Sequence, residues 1–403
     1  MRTLGTLPPC EGCGEVRVIH PLEKGISWIE EHVNEKSGRN VPKRKLCAHR
    51  LLKCARFLER LGICRLATNP AHTIDSRIHA LFEGAAASNL VLYEVLIRKH
   101  HVCFFATYED ERAVWMFKHL PHELLEYHSE ILIDDKYELA TFLRSHSRCV
   151  PETWSVTNKT IHALPVASKE QAFVVKPRIG TRGRHTTLHH VTPESLIEGV
   201  RFAMQISTRV VVQREVNGEV YRCTVVNGHD VYVARRKYPF VVGDGIHSIE
   251  ELVITENTQP YRDGVYFRKL VFGIHERNFL RVQHIDASYV PQKGEVCTIS
   301  DKNSRRNGTT VEDVTAETHP TIIEEARMAA QLIGTPIVGF DIILENHMVP
   351  INNQSTGIIE ANSVPYIDVH HRVVSGNPHN VAAKLFSLVI DTVVAKTTTE
   401  TLY

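Results

Sequence analysis

The stretch at residues 171–186, QAFVVKPRIGTRGRHT, decides how the rest of the chain is interpreted. Its apolar run at 173–175 predicts a short buried strand that ends at Lys176. Gly180 and Gly183 then open a turn rich in arginine. A lysine at a strand end beside a glycine loop suits a polyphosphate, because glycine lets backbone N–H groups approach the oxygens and lysine adds a positive charge. The alternative for this segment alone is a surface hairpin with basic side chains.

A second informative pair of segments lies near the C-terminal end. PIVGFDIIL at 336–344 predicts a strand whose one polar residue is Asp341, and GIIEAN at 357–362 predicts another. Glu360 and Asn362 are two residues apart, so on a strand they face the same side, and Asp341 joins them if the strands pair. Two carboxylates and an amide oxygen form a hard oxygen site for Mg²⁺, which commonly also takes nucleotide phosphates. The alternative is the solvated side of a hairpin, but burying an unpaired charge in an apolar strand is costly.

Composition excludes several classes of protein. The 403 residues allow two or three domains, and 43% hydrophobic with 23% charged residues is typical of a globular chain. A formal net charge of +1 gives no reason to expect a nucleic-acid partner. Apolar runs fall short of the roughly 18 residues of a membrane span, and the N-terminus lacks a signal-like apolar segment. We therefore expect a cytoplasmic protein without a membrane partner, whose nine cysteines are reduced thiols.

Two short motifs carry less weight. Cys10 and Cys13 form a CxxC for which a free dithiol is favoured over zinc, since only His20 or Cys47 could be guessed as further ligands. HELLEYH at 122–128 places its histidines six apart rather than four, so it is not a zincin motif.

Periodicity and capping signals predict the remaining elements. Helices are expected at 25–35, 44–61, 76–82, 86–98, 136–145 and 193–206. A further helix is expected after Ser248, with Glu251 as its capping-box partner. Another is expected at 321–332, where Thr321 and Glu324 form a capping box and Gly334 ends the helix. Strands are expected at 101–107, 131–133, 209–213, 219–226 and 230–235, with hairpin turns at Asn217-Gly218 and Asn227-Gly228.

The order of these motifs resembles that of an ATP-grasp ligase, in particular the branch of cyanophycin synthetase and bifunctional glutathione synthetase. The resemblance runs from about residue 86 to residue 388, and residues 1–80 match nothing. Its matching stretches lie between residues 135 and 383. They are Asp135-Lys136, VVKP ending at Pro177, Asn217-Gly218 to Arg222, Arg236 through VVGDGIHSIEEL, Asp313-Val314-Thr315, His319-Pro320, Gly339-Phe340-Asp341, IIEAN and HNVAA at 379–383. The run of matches in order is specific, whereas no single one would be.

The resemblance implies an α/β (α+β) ATP-grasp fold in which two α+β lobes grip a nucleotide, preceded by an N-terminal α/β domain. The implied domains are 1–130, with 1–80 of unknown role, a small lobe at 131–212 and a large lobe at 213–395.

The resemblance also implies the site. Lys136 and Lys176 would contact the phosphates of ATP under a loop formed by Gly180, Thr181, Arg182 and Gly183. The hinge at adenine would consist of Gln213, Arg214, Glu215 and Val216. Asp341, Glu360 and Asn362 would hold two Mg²⁺ ions, or Mn²⁺ in their place. Arg222 and Arg236 would face the acyl phosphate or a substrate carboxylate, and His370 would lie near the substrate pocket.

Four positions depart from the family pattern. Gln213 and Val220 stand where acidic residues are usual at the hinge and ribose, and Glu215 or Glu219 are the candidates to replace them. His185 takes the place of a loop glycine, and Tyr366 that of the glycine after Pro365.

The implied activity is ATP-dependent carboxylate–amine ligation of amino acids or small peptides through an acyl phosphate. Two alternatives remain open: a tailoring ligase of a natural product or ribosomal peptide, and a nucleotide-binding regulator without turnover. A homo-oligomer is an expectation from the family alone.

Overall fold

The computed structural model describes residues 48–98, 100–111, 114–117, 132–180, 183–302 and 305–400, without side chains for residue 306 and for 391–400. The helix expected at 25–35, the Cys10/Cys13 pair, the 122–128 segment and loop residues Thr181 and Arg182 lie outside these ranges. Within them, no helix is long and apolar enough to cross a bilayer. Every cysteine in the described ranges is a free thiol.

The N-terminal part is an antiparallel four-stranded sheet with two helices. Its elements are α1 (Ala48–Arg60), β1 (Arg65–Ala67), α2 (Ser76–Ala87), β2 (Val91–Ile97), β3 (His100–Thr107) and β4 (Val114–Phe117). Asp75 caps α2 by accepting a hydrogen bond from the backbone N–H of Arg77. The helix expected at 86–98 is wrong, because Asn89 adopts a left-handed conformation and VLYEVLI continues as a strand of β-branched and aromatic residues.

The second sheet has the order β5-β8-β6-β7 and carries the lysine of the opening stretch. Its elements are α3 (Lys136–Ser145), β5 (Thr153–Val156), β6 (Phe173–Pro177), β7 (Thr187–His190), α4 (Pro193–Ala203) and β8 (Val210–Arg214). One face packs Phe173, Val175 and Val212 against Leu196 and Val200 of α4. The strand expected at 131–133 is wrong: residues 132–134 are helical and lead into α3, where Ile133 joins the core.

The third sheet has five strands in the order β13-β10-β9-β14-β15. Its elements are β9 (Glu219–Val226), β10 (Asp230–Lys237), β13 (Thr310–Asp313), α7 (Pro320–Ile333), β14 (Ile337–Leu344), β15 (Thr356–Asn362) and α8 (Val381–Glu400). One face packs Tyr221, Val233 and Phe340 against α7. Asn227 and Gly228 both have positive φ, which confirms the hairpin turn between β9 and β10.

Two expectations for this region are wrong. Asn217-Gly218 is not a hairpin turn, because β8 and β9 belong to different sheets and this segment passes from one sheet to the other. Helix α7 begins one residue earlier than expected, since His319 is its N-cap and Pro320 fits the first helical position. Thr321 instead accepts a hydrogen bond from the N–H of Ile351. Gly334 ends the helix in a left-handed conformation, as expected.

A smaller unit extends from the third sheet. It contains β11 (Phe240–Val242), α5 (Ile249–Glu256), α6 (Ile274–Val282) and β12 (Val296–Thr298) around its own apolar cluster. Ser248 and Glu251 form the expected capping box at the start of α5.

Candidate functional site

Lys176 lies on the face of the second sheet opposite the α4 core. Residues alternate between faces along a strand, so Lys176 and Val174 of β6 share a face with Gln213, which pairs directly with Val174. Thr153 of β5 pairs with Gln213 from the other side. The sheet therefore presents a polar group of three side chains, Lys176, Gln213 and Thr153, towards the third sheet.

The Lys176 ammonium joins the two sheets. Its Nζ donates to Gln213 Oε1 at 2.9 Å and to the carbonyl oxygen of Ile359 in β15 at 3.0 Å. The side chain is buried, and burial lowers the pKa of Lys176 to about 8, against the opposing effect of the Glu360 carboxylate. This lysine is thus held directly beside the residues of β15.

Lys136 reaches the same place from the first residue of α3. Asp135 caps that helix, and its two carboxylate oxygens share the single N–H of Arg178 Nε at 2.9 and 2.8 Å, so the helix is fixed to the end of β6. Lys136 Nζ donates to the carbonyl oxygen of Gly180 at 2.7 Å and lies 3.9 Å from Glu360 Oε1. Both lysines therefore point at the middle of β15, at Ile359 and Glu360.

The glycine loop needs backbone conformations that favour glycine. Gly180 has φ 147° and Gly183 has φ 63°. His185, which takes the place of a family glycine, also has a positive φ of 51° and is buried with its ring stacked on Phe202. The departure at this position is accommodated by packing.

The expected hinge, residues 213–216, comprises the last two residues of β8 and the two that follow it. The side chain of Gln213 turns to Lys176, whereas Arg214 is exposed and its backbone N–H donates to Glu152. The N–H of Glu215 donates to the carbonyl of Ala172, and Val216 is half-buried.

Glu215 and Glu219 differ in their surroundings. The Glu215 carboxylate lies 3.4 Å from His189 Nδ1. Glu219 is ion-paired with Arg235, on the face of β9 opposite Arg222. The place of each residue in a nucleotide site stays a prediction.

The acidic residues meet across adjacent strands. Asp341 of β14 pairs in register with Glu360 of β15 on one side and with Arg222 of β9 on the other, while Asn362 is opposite Gly339. The strand pairing that the sequence suggested for Asp341 and Glu360 is therefore confirmed. Both side chains are half-buried on the face that the lysines reach.

Arg222 is held in place by an ion pair and by the glycine beside it. Its Nε lies 2.8 Å from Asp341 Oδ1, and the guanidinium is almost fully buried. A Cβ at Gly339 would lie 2.7 Å from Arg222 Nη1 and 2.8 Å from the Pro365 side chain. Gly339 therefore makes room for the arginine to extend across the sheet.

Arg236 and His370 both lie near Arg222. Burial and the nearby Arg222 lower the pKa of Arg236. His370 is fully buried, its Nε2 lies 2.8 Å from Thr224 Oγ1, and burial with the adjacent Arg222 lowers its pKa well below the usual range. The imidazole is therefore neutral at physiological pH. Its direct contact with a substrate stays a prediction.

The donor set fits a divalent cation shared with phosphate oxygens. Within the described ranges, no group of three or more His, Cys, Asp or Glu side chains is arranged to hold a metal. Asp341 and Glu360 supply two carboxylates, and Asn362 donates its Nδ2 to the Gly339 carbonyl, which leaves its amide oxygen as an acceptor. Two carboxylates and an amide suit Mg²⁺ that completes its coordination with substrate oxygens and water.

Sequence reasoning missed several residues that position the site. Arg178, one of the arginines of the glycine turn, is buried and ion-paired with Asp135. Asp368 is buried and accepts hydrogen bonds from Ser76 of α2 at 2.5 Å and from Arg305. The Asp135-Lys136 match marked the start of α3, but nothing local indicated that Arg178 binds Asp135 or that Asp368 is buried.

The fold, with two sheets facing each other across paired lysines and carboxylates, is the ATP-grasp fold of ligases. Bifunctional glutathione synthetase from Pasteurella multocida superimposes with a TM-score of 0.60 and 20% identity, over 79% of this chain and 44% of that one. The chain is 31% identical over 226 residues to cyanophycin synthetase of Crocosphaera subtropica, covering 54% of this chain and 25% of the relative. It is 26% identical over 272 residues to the glutathione biosynthesis bifunctional protein GshAB of Listeria monocytogenes, covering 66% of this chain and 35% of the relative.

These similarities confirm the resemblance to ATP-grasp ligases that the motifs indicated. No family model matches the chain. The chain spans only about a quarter to a third of the length of these curated relatives.

Proposed function

We propose that this chain is an ATP-dependent carboxylate–amine ligase that joins amino-acid or small-peptide substrates through an amide bond. The observation that carries the proposal is the convergence of Lys136 and Lys176 on the Asp341 and Glu360 strands. Lys176 Nζ is 3.0 Å from the Ile359 carbonyl, and Lys136 Nζ is 3.9 Å from Glu360. Adjacent positive and acidic groups of this kind suit a metal-bound polyphosphate.

In the proposed reaction, a substrate carboxylate attacks the γ-phosphorus of ATP, giving an acyl phosphate and ADP. An amine then attacks the acyl carbon, and phosphate leaves as the amide forms. Lys136 and Lys176 offset negative charge on the nucleotide phosphates, and Arg222 and Arg236 orient the carboxylate that reacts. Two Mg²⁺ ions, or Mn²⁺ in their place, would be held by Asp341, Glu360 and Asn362 and would supply further positive charge to the phosphoryl group.

The loop that contains Gly180 and Gly183 would protect the acyl phosphate from water in this reaction. An acyl phosphate hydrolyses in water, so a loop that covers the phosphates protects it. Lys136 already contacts the carbonyl oxygen of Gly180, which links loop position to a phosphate-binding lysine.

Product formation tests the proposal. The purified chain would be incubated with MgATP and pools of amino acids, with ADP release and product masses as readouts. We expect release that depends on a pool, a product lighter than its two precursors by one water, and loss of both in the Asp341→Asn, Glu360→Gln variant. ATP binding without release from any pool would contradict the ligase and favour a nucleotide-binding regulator.

A further inference from the structure

A directed chain of hydrogen bonds supports the Lys176 ammonium from behind. Lys176 donates to Gln213 Oε1 at 2.9 Å, Gln213 Nε2 donates to Thr153 Oγ1 at 3.0 Å, and Thr153 donates to the carbonyl oxygen of Pro151 at 2.8 Å. Gln213 is buried, with 3% of its surface exposed, so this pairing does not compete with bulk water.

The donors and acceptors of this series of hydrogen bonds can be arranged in one direction only. The Thr153 hydroxyl has a single proton, which it donates to Pro151, so towards Gln213 it can only accept. The Gln213 amide must therefore present its NH₂ group to Thr153 and its oxygen to Lys176. Lys176 has three N–H donors, of which two bind Gln213 and Ile359 within the described chain, so one is left to point at a ligand.

We propose that Gln213 and Thr153 are positioning residues that hold Lys176 through neutral acceptors, so that its full charge serves the nucleotide phosphates. This inference rests on the proposed function for the presence of ATP at Lys176. It assigns Gln213 to the phosphate end of the site, whereas the family resemblance assigned this position to the adenine hinge.

The neutrality of Gln213 has a physical consequence. A carboxylate in its place would form a buried ion pair with Lys176, and the attraction between such charges is strong where solvent is excluded. That pair would compete with the phosphates for the ammonium. The amide avoids this competition while it still fixes the direction of the side chain.

The test compares a ligand that has phosphates with one that has none. Dissociation constants for MgATP and for adenosine would be measured by displacement of a fluorescent ATP analogue from the wild type, Thr153→Val, Thr153→Ser, Gln213→Met and Gln213→Glu. Removing one hydrogen bond is expected to weaken MgATP binding about 2- to 10-fold in Thr153→Val, while Thr153→Ser, which keeps the hydroxyl, stays within about 2-fold of the wild type. Gln213→Met and Gln213→Glu are expected to weaken MgATP binding by about 10-fold.

Adenosine binding separates this role from a role at adenine. We expect all four variants to bind adenosine as the wild type does, with thermal unfolding confirming that each variant is folded. Equal losses for MgATP and adenosine would overturn the inference and place Gln213 at the base. Thr153→Ser as weak as Thr153→Val, or Gln213→Glu as tight as the wild type, would also overturn it. A folded wild type that binds no ATP would instead refute the proposed function.

Discussion

Lys176 combines burial with a charge that the proposed reaction needs. Its pKa of about 8 means that the ammonium loses its proton at a lower pH than an exposed lysine does. Bound phosphate favours the charged form, so ligand binding raises this pKa again. In the proposed function, the protonation state of this side chain is thus linked to nucleotide binding.

The first prediction concerns pH. Below about pH 8 Lys176 is already charged, so its titration should change MgATP affinity little. Above about pH 8 the unbound lysine is mostly neutral and must take up a proton on binding, so MgATP affinity should fall by up to about tenfold per pH unit. Dissociation constants measured between pH 6.5 and 9.5 check this, with Lys176→Arg as the control that stays charged throughout. Equal slopes for the wild type and Lys176→Arg would contradict it.

Some of the candidate site could be predicted at the level of residues, and some could not. The period of two along a strand was enough to place Glu360 and Asn362 on one face, and the single polar residue in an apolar strand singled out Asp341. The partner of Gln213 could not be predicted, because β5, which brings Thr153, is separated from it by some 60 residues. Asp368 likewise depends on contacts with distant residues.

At the scale of elements, Gly339 of β14 leaves the space that the Arg222 side chain of the neighbouring strand β9 occupies. This glycine has an ordinary extended conformation, so a residue without a side chain is needed here for space and not for backbone flexibility. A side chain at this position would meet Arg222 and Pro365. The strand pair thereby keeps Arg222 against Asp341 at 2.8 Å.

The second prediction is that Gly339→Ala displaces Arg222 and lowers ligase turnover by about tenfold or more, while MgATP binding changes less, because Arg222 is proposed to act on the carboxylate substrate. Steady-state kinetics with separate values of kcat and KM for ATP measure this. The control is Ala361→Gly on the neighbouring strand β15, which changes side-chain volume without adding a contact. Gly334→Ala cannot serve as a control, because Gly334 has a positive φ. Unchanged turnover in Gly339→Ala would contradict the account of Arg222.

Boundaries of elements were predictable where the chain carries its own signals. Capping at Ser248 and the stop at Gly334 depend on residues within one turn. The expected helix at 86–98 failed because its apolar residues fit either period, and only Asn89 marks the change to a strand. Asn217-Gly218 failed as a hairpin because a turn dipeptide does not reveal that its two strands belong to different sheets.

At the scale of the whole molecule, the N-terminal part is packed onto the third sheet. Ser76 contacts Asp368, and Glu83 accepts hydrogen bonds from Tyr266 and Arg372. Helices α2 and α8 pack closely at Gly84, where a Cβ would lie 2.4 Å from Ala382 Cβ. The two-sheet arrangement was predictable from the family resemblance, whereas this contact was not, because α2 lies before about residue 86, where the resemblance begins.

The third prediction tests this junction. Gly84→Ala should destabilise the chain by about 1–3 kcal/mol through overpacking against α8, less the gain of about 0.5–1 kcal/mol that alanine brings to a helix. Chemical unfolding followed by circular dichroism measures the change, with Ala86→Ser on the exposed side of the same helix as the control, expected within about 0.5 kcal/mol of the wild type. Stabilisation by Gly84→Ala would show that α2 does not pack on α8 in this way.

The metal dependence of ATP binding tests whether Asp341 and Glu360 hold the cation that the proposed reaction needs. Titration calorimetry would compare ATP with Mg²⁺ and ATP with EDTA, for the wild type and for Asp341→Asn, Glu360→Gln. We expect the wild type to bind MgATP at least about tenfold more tightly than metal-free ATP, and the double variant to lose this difference while it remains folded. A folded wild type that binds no ATP, or a double variant that keeps the full metal dependence, would contradict the account.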